Sequence, residues 1–317
     1  TCLGMVAEVN KKDLPQYDII HVSAMPYTSL MYVGLQLAEK TGAKLYITPF
    51  QHANVKSNYV LEDKYYHPRT LPFYAAADKV FVQTEAERKG LISFFDQYKG
   101  FNRYSQLVED GYAKASEISD STPKILLWTA NLFIAIMSAF MKVVGVLTAV
   151  FPKKPQFGSV DPDKLVKVGL GIFPEEVSGG KGRRFREKHG IGEDEKIVFY
   201  VGAKAFVKGA RGLVLSMEKL WNDGVKARLV LAGGMTLEFE DFWKKQEGVV
   251  KENTIVLDRI EESEKQDLFD AGDIFSMVST SESFGIVYLE AWMYKLPVIG
   301  ADIDVIKEII DDGEDGY

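Results

Sequence analysis

One cysteine, Cys2, stands in 317 residues, so no intrachain disulfide can form and no cysteine-based metal cluster can assemble. Histidine is almost as sparse. His21, His52, His67 and His189 are scattered without HExxH or HxH spacing, so no metal site is expected. Basic charge is not in excess either. Lys and Arg number 38 against 45 Asp and Glu, a formal net charge of −7, which argues against a nucleic-acid partner. The start lacks the basic, apolar and small-residue regions of a signal peptide. Internal repeats and low-complexity tracts are missing too. What remains is 46% hydrophobic and 26% charged residues, the balance of a globular protein, in a length that suits one large or two medium domains. The chain opens on Thr1 rather than Met and closes on the turn residues before Tyr317, so it reads as a fragment cut at both ends.

Short apolar runs alternate with longer amphipathic ones. Strands are expected at 17–22, 43–48, 79–82 and 165–168, then at 197–201, 228–232, 254–257, 274–278 and 297–299. Helices are expected at 29–40, from about Thr84, and at 181–189, 208–222, 237–247, 262–271, 285–294 and 303–310. Thr84 and Glu87 have the spacing of a capping box. Strand–helix alternation implies βαβ units and parallel sheets. A break near Gly171–Pro174 divides the chain into 1–172 and 173–317, two Rossmann-like, doubly wound α/β domains facing a cleft. Ligands of such sheets sit beyond the carboxyl ends of the strands.

One long hydrophobic run interrupts this rhythm. Ile125 to Phe151 carries a single charge, Lys142, inside an insertion spanning about 98–160. A bilayer crossing takes ~20 apolar residues, so the run is long enough. A single crossing would, however, separate strands expected to share one sheet. A hairpin or an in-plane helix avoids this, with Lys142 snorkelling to the interface. A buried helix or an oligomer contact is the soluble alternative.

Two blocks carry chemistry. In Ser281-Glu282-Ser283-Phe284-Gly285-Ile286-Val287-Tyr288-Leu289-Glu290, a strand leads through a glycine turn into a helix. Gly285 permits close backbone approach, and the helix start offers unpaired N–H groups to a phosphate. Glu282 and Glu290 are placed to accept hydrogen bonds from sugar hydroxyls. In Val201-Gly202-Ala203-Lys204-Ala205-Phe206-Val207-Lys208-Gly209, Lys204 and Lys208 fall beyond a strand's carboxyl end. They either neutralise a diphosphate or stand as surface lysines.

Together with Leu229-Val230-Leu231-Ala232-Gly233-Gly234 and Glu308-Ile309-Ile310…Gly313…Gly316-Tyr317, these blocks resemble the retaining family-4 glycosyltransferases of GT-B fold. The resemblance covers about 1–97 and 162–317 and is stronger in the second half. It implies a donor site of Gly202, Lys204, Lys208, Ile260, Glu282, Phe284, Gly285, Ile286 and Glu290. In it Glu290 holds ribose hydroxyls, Glu282 the transferred sugar, Lys208 the diphosphate, and the backbone at Ile260 the base. His52, Lys208 and Glu282 would be the catalytic residues. His52 resembles a histidine near the reacting sugar, with a structural histidine as the equal alternative. The implied reaction is metal-independent hexosyl transfer with retention, from a nucleotide-diphosphate sugar to a hydroxyl acceptor, lipid-linked if 125–151 meets a membrane. No cofactor is implied. The implied location is cytoplasmic, peripheral on the cytoplasmic face of the membrane if that contact exists. Ala203 stands where the family often has arginine. That leaves room for a non-catalytic membrane-associated partner subunit of the same fold; another GT-B enzyme, such as a phosphorylase or a nucleotide-sugar epimerase, is a separate alternative that the Glu282 and Glu290 block argues against.

Overall fold

The computed structural model describes residues 9, 14–23, 28–52, 66, 70–97 and 160–317. The hydrophobic run at 125–151 lies outside the described residues. The first sheet contains four parallel strands in the order β1 (Ile19–Ser23), β2 (Lys44–Thr48), β3 (Lys79–Val82) and β4 (Leu165–Lys167). Helix α1 (Thr28–Thr41) connects β1 to β2. Helix α2 (Leu71–Ala76) precedes β3, and α3 (Glu85–Gln97) follows it. Val80 pairs with Leu165 and Val82 with Lys167, so the sheet resumes beside the strand it left. A single membrane crossing between 98 and 160 would pull these hydrogen-bonded neighbours to opposite sides of a bilayer. Among the described residues, no helix is long and apolar enough to cross a membrane.

After α4 (Gly182–His189) comes a five-stranded parallel sheet. Its strands are β5 (Lys196–Val201), β6 (Ala227–Ala232), β7 (Thr254–Leu257), β8 (Ile274–Ser276) and β9 (Val298–Ile299). Helices α5 (Ala210–Asn222), α6 (Leu237–Lys244), α7 (Val249–Asn253), α8 (Glu262–Ala271), α9 (Ile286–Met293) and α10 (Asp304–Lys307) accompany them. All strands pair parallel, in the order β7-β6-β5-β8-β9. The chain winds outward from β5 through β6 to β7, then returns to the other side of β5 with β8. The switch point between β5 and β8 is where open sheets of this kind bind ligands.

The strands are apolar on both faces because helices cover both. In β5, Ile197, Phe199 and Tyr200 are buried in one core with Leu213, Val214, Met217 and Trp221 of α5, whose spacing makes one helical face, and Phe199 meets Phe269 of α8 edge-on. A separate core lies around the first sheet, where Ile47, Val80, Val82, Tyr74, Leu91 and Phe95 meet.

The described strands lie where the sequence predicts them, within about two residues at either end. Two short helices, α2 and α7, are not predicted from the sequence. The helix predicted over 303–310 stops at Lys307. Beyond it, Glu308 turns towards the first sheet. Its carboxylate accepts the N–H groups of Glu85 (2.6 Å) and Ala86 (2.5 Å), and Lys167 Nζ lies 2.8 Å away. Partial burial pulls the Glu308 carboxyl upward, but Lys167 and the two N–H groups outweigh it and hold the group below the usual carboxylate range. The negative charge suits the positive end of α3. It also ties the two halves of the chain together.

Candidate active site

The loops leaving β5 and β8 meet at the switch point. The β5 loop forms a short 3-10 turn at Phe206–Lys208 and enters α5 through Gly209, whose φ is +78°. A Cβ on Gly209 would sit 2.3 Å from the Val278 carbonyl oxygen, so only glycine lets the loops touch. The Thr280 N–H donates to Val207 O at 2.9 Å and closes the contact. Across this seam, Lys208 Nζ lies 2.8 Å from Glu282 Oε1 and 3.5 Å from Ser281 O. Glu282 is 5% exposed. Two buried phenols lie near it: Tyr200 donates to Ala203 O at 2.6 Å, and Tyr288 donates to Met277 O. Burial first, and then the Glu282 charge, push both phenols above their ordinary values, which keeps them protonated.

Gly285 adopts φ +91° and opens α9 without a side-chain cap; the Tyr288 N–H donates to its carbonyl at 3.0 Å. Phe284 is buried and Ile286 exposed on either side of it. Glu290, in the second turn of α9, lies 3.0 Å from Lys265, which also pairs with Glu262 at 2.8 Å. Ile260 follows β7 and packs partly buried against the second core. The Gly202 N–H donates to Ala232 O at 2.9 Å and fixes the loop start.

Lys204 departs from the expected arrangement. It is fully buried, and its ammonium donates to the carbonyl oxygens of Gly233 and Leu257, the latter at 2.5 Å. It clamps the ends of β5, β6 and β7 together. Burial lowers its pKa to about 8, with Asp258 opposing the shift. The structure therefore does not bring Lys204 to Lys208 and Glu282. The loop glycines allow the clamp. A Cβ on Gly233 would lie 2.1 Å from Gly202 O.

From the first sheet, the loop after β2 delivers His52. Its Nδ1 is hydrogen-bonded to Ser281 Oγ at 3.0 Å, beside Glu282. His52, Lys208 and Glu282 are thus brought to one seam. Ser281 is the partner that the sequence does not single out. No signal in the sequence links residues 229 positions apart. Behind His52, the capping-box spacing is realised in part. Thr84 Oγ1 accepts the Glu87 N–H at 3.0 Å, but the Glu87 carboxylate reaches back to the N–H of Gln83, one residue before the cap, at 2.7 Å.

Among the described residues, no group of three or more His, Cys, Asp or Glu side chains is arranged to hold a metal ion. Cation and dipole at the seam come from Lys208 and the uncapped start of α9, a combination suited to an anionic leaving group.

Residues 182–317 match the family model described as glycosyl transferases group 1. The chain is 31% identical over 163 residues to N-acetyl-alpha-D-glucosaminyl L-malate synthase of Bacillus anthracis, covering 50% of this chain and 41% of that protein. It is 25% identical over 160 residues to alpha-monoglucosyldiacylglycerol synthase of Streptococcus pneumoniae, covering 47% and 36%. It thus spans well under half the length of these relatives. The crystal structure of Anabaena Alr3699/HepE in complex with UDP and glucose superposes with a TM-score of 0.64 at 12% identity, over 99% of this chain and 66% of that one. The fold is that of the GT-B glycosyltransferases.

Proposed function

We propose that this protein is a retaining, metal-independent glycosyltransferase that moves a hexosyl group from a nucleotide-diphosphate sugar to a hydroxyl acceptor. The observation that carries the reading is the meeting of Lys208, Glu282 and the α9 start at the β5–β8 switch point. Residues 1–172 form the acceptor-side domain and 173–317 the donor-side domain. Negative charge grows on the departing diphosphate, and Lys208 with the α9 N–H groups stabilises it. Lys208 carries three N–H donors; Glu282 and the Ser281 carbonyl take one each, and a phosphate oxygen draws on the third. Glu282 orients the transferred sugar, and His52 borders it from the first sheet. Glu290 holds the ribose hydroxyls, with Lys265 fixing its carboxylate, and the backbone at Ile260 meets the base. The acceptor attacks from the face the diphosphate leaves. A diphosphate oxygen takes the acceptor proton as the glycosidic bond forms and the sugar–phosphate bond breaks, so no enzymic nucleophile is needed.

Calorimetry with a panel of nucleotide sugars and nucleoside diphosphates tests the donor site. We expect selective binding by the wild-type chain, lost in Glu290→Ala. Binding that persists undiminished in the variant removes Glu290 from the site. The loop bearing Ala203 brings one lysine rather than two to the seam, which favours the partner-subunit reading as the rival. Donor binding without transfer, in a protein that includes the flanking sequence of its relatives, would select that rival.

The acceptor is a lipid or glycolipid, met at the cytoplasmic face of the membrane. Supporting this are the length of the 125–151 run, the β3–β4 pairing that returns the chain to the same sheet, and the relative whose name carries a diacylglycerol product. Flotation with vesicles is expected for the chain and not for a variant lacking 125–151. Equal flotation of the two would end the assignment.

A further inference from the structure

We propose that Glu87 is a positioning residue, whose buried carboxylate fixes the turn that presents His52 to the cleft. The inference rests on the reading of His52 given above, and the geometry behind it is local. Glu87 is fully buried. Its Oε1 accepts the Gln51 N–H at 2.8 Å, and its Oε2 accepts the Gln83 N–H at 2.7 Å. One carboxylate therefore joins the loop after β2 to the end of β3, and the residue after Gln51 is His52. The turn needs holding. Phe50, one residue before Gln51, has φ +52°, the left-handed region that bulky side chains avoid. Strain of that kind persists only where its surroundings over-determine the backbone.

The surroundings do so from three sides. Gln51 Nε2 donates to Tyr74 Oη at 2.9 Å, Tyr66 Oη donates to the His52 carbonyl at 3.3 Å, and His52 Nδ1 meets Ser281 Oγ. Glu87 itself is placed by Thr84, which caps the helix start. The sequence spacing of a capping box is thus used for a different purpose. The hydroxyl half closes on the helix, and the carboxylate half divides between the N–H just before the helix and the loop after β2.

The titratable groups on the packed elements are the Tyr74 phenol from α2, the Tyr66 phenol, which lies against α3 at Gly90, and His52 on the turn. Among the described residues, no cation pairs with Glu87. Burial accordingly pushes its carboxyl up to about 7, against the pull of the Gln83 and Gln51 N–H groups. Protonation puts a hydrogen on one of the two oxygens that hold the turn. The Gln51 and Gln83 N–H groups favour the ionised carboxylate, so their grip strengthens as pH rises through about 7 and weakens as it falls.

NMR titration of the 317-residue chain, followed at the Gln51 and Gln83 amides and the His52 ring, tests this. In the wild type we expect both amides to move with one shared midpoint near 7, and the His52 ring to report that midpoint. In Glu87→Gln the shared midpoint disappears and the His52 resonances shift. Glu87→Asp, which keeps the charge on a shorter arm, restores a shared midpoint and covers the case in which Glu87→Gln does not fold. Amides that titrate together without an acidic residue at 87, or a His52 ring unmoved by Glu87→Gln, would overturn the proposal. Its failure is separable from that of the reading beneath it. If His52→Ala keeps full turnover, His52 has no part in transfer, while the NMR still decides what holds it.

Discussion

Lys208→Met lowers turnover by about 100- to 1000-fold, the cost of removing one preorganised charge from a developing anion. The same substitution destabilises the protein, because it leaves the Glu282 carboxylate without its cation in a site where that side chain is 7% exposed. Breaking a fully buried pair costs roughly 3–5 kcal/mol, and an exposed one at most ~1. Lys208 is itself 25% exposed, so roughly 2 kcal/mol is expected. The two effects separate in the double variant Lys208→Met/Glu282→Gln. Removing both charges recovers most of the stability and none of the activity. Denaturant titration beside steady-state kinetics reads both. If the double variant regained turnover as well, Lys208 would be a structural partner of Glu282 with no role in transfer.

Gly209→Ala destabilises the fold by about 2–4 kcal/mol, combining the left-handed backbone with a steric conflict. Its φ of +78° alone disfavours alanine, but the larger part comes from the Val278 carbonyl, whose oxygen would lie 2.3 Å and carbon 2.6 Å from the new Cβ. Both atoms are backbone, so no side-chain rotation relieves the contact. Relief means parting the β5 and β8 loops, which moves Lys208 from Glu282. Gly190 supplies the control. It has φ +64° with nothing within 4 Å of where an alanine methyl would sit, so Gly190→Ala carries the backbone cost of roughly 1–2 kcal/mol without the clash. Urea midpoints of the two variants give the difference. Equal losses would show that the loops do not press on one another at Gly209.

Strand positions were legible because parallel strands covered on both faces appear as apolar runs bounded by turns. The alternation of strands and helices put the 202–209 and 277–285 loops at the carboxyl ends of strands, but not beside one another; their meeting follows from the pairing of β5 with β8. The direction of individual side chains was not legible. Lys204 and Lys208 are four residues apart in one loop and chemically identical. One is buried among carbonyl oxygens and the other faces Glu282, because the β5–β6 glycine contact draws the first inward. Periodicity carries no such information. Thr84 and Glu87 announced a helix start correctly, yet the destination of the carboxylate depended on a loop over thirty residues earlier. Glu308 sat inside an expected helix, and it ends that helix to reach the other sheet. Helices α2 and α7, at six and five residues, are too short for a helical period to register.

The start of α3 determines which side of the cleft can receive an anion. Its first three N–H groups are taken, those of Glu85 and Ala86 by Glu308 and that of Glu87 by Thr84. The positive pole of that helix is already neutralised by a carboxylate from the same chain, whereas α9 begins with no side-chain cap. The cleft is therefore electrically lopsided, with one wall satisfied and the other attractive. On the proposed reading, a phosphate is drawn to the start of α9 and not to that of α3. Inorganic pyrophosphate should accordingly compete with the donor and leave acceptor affinity unchanged.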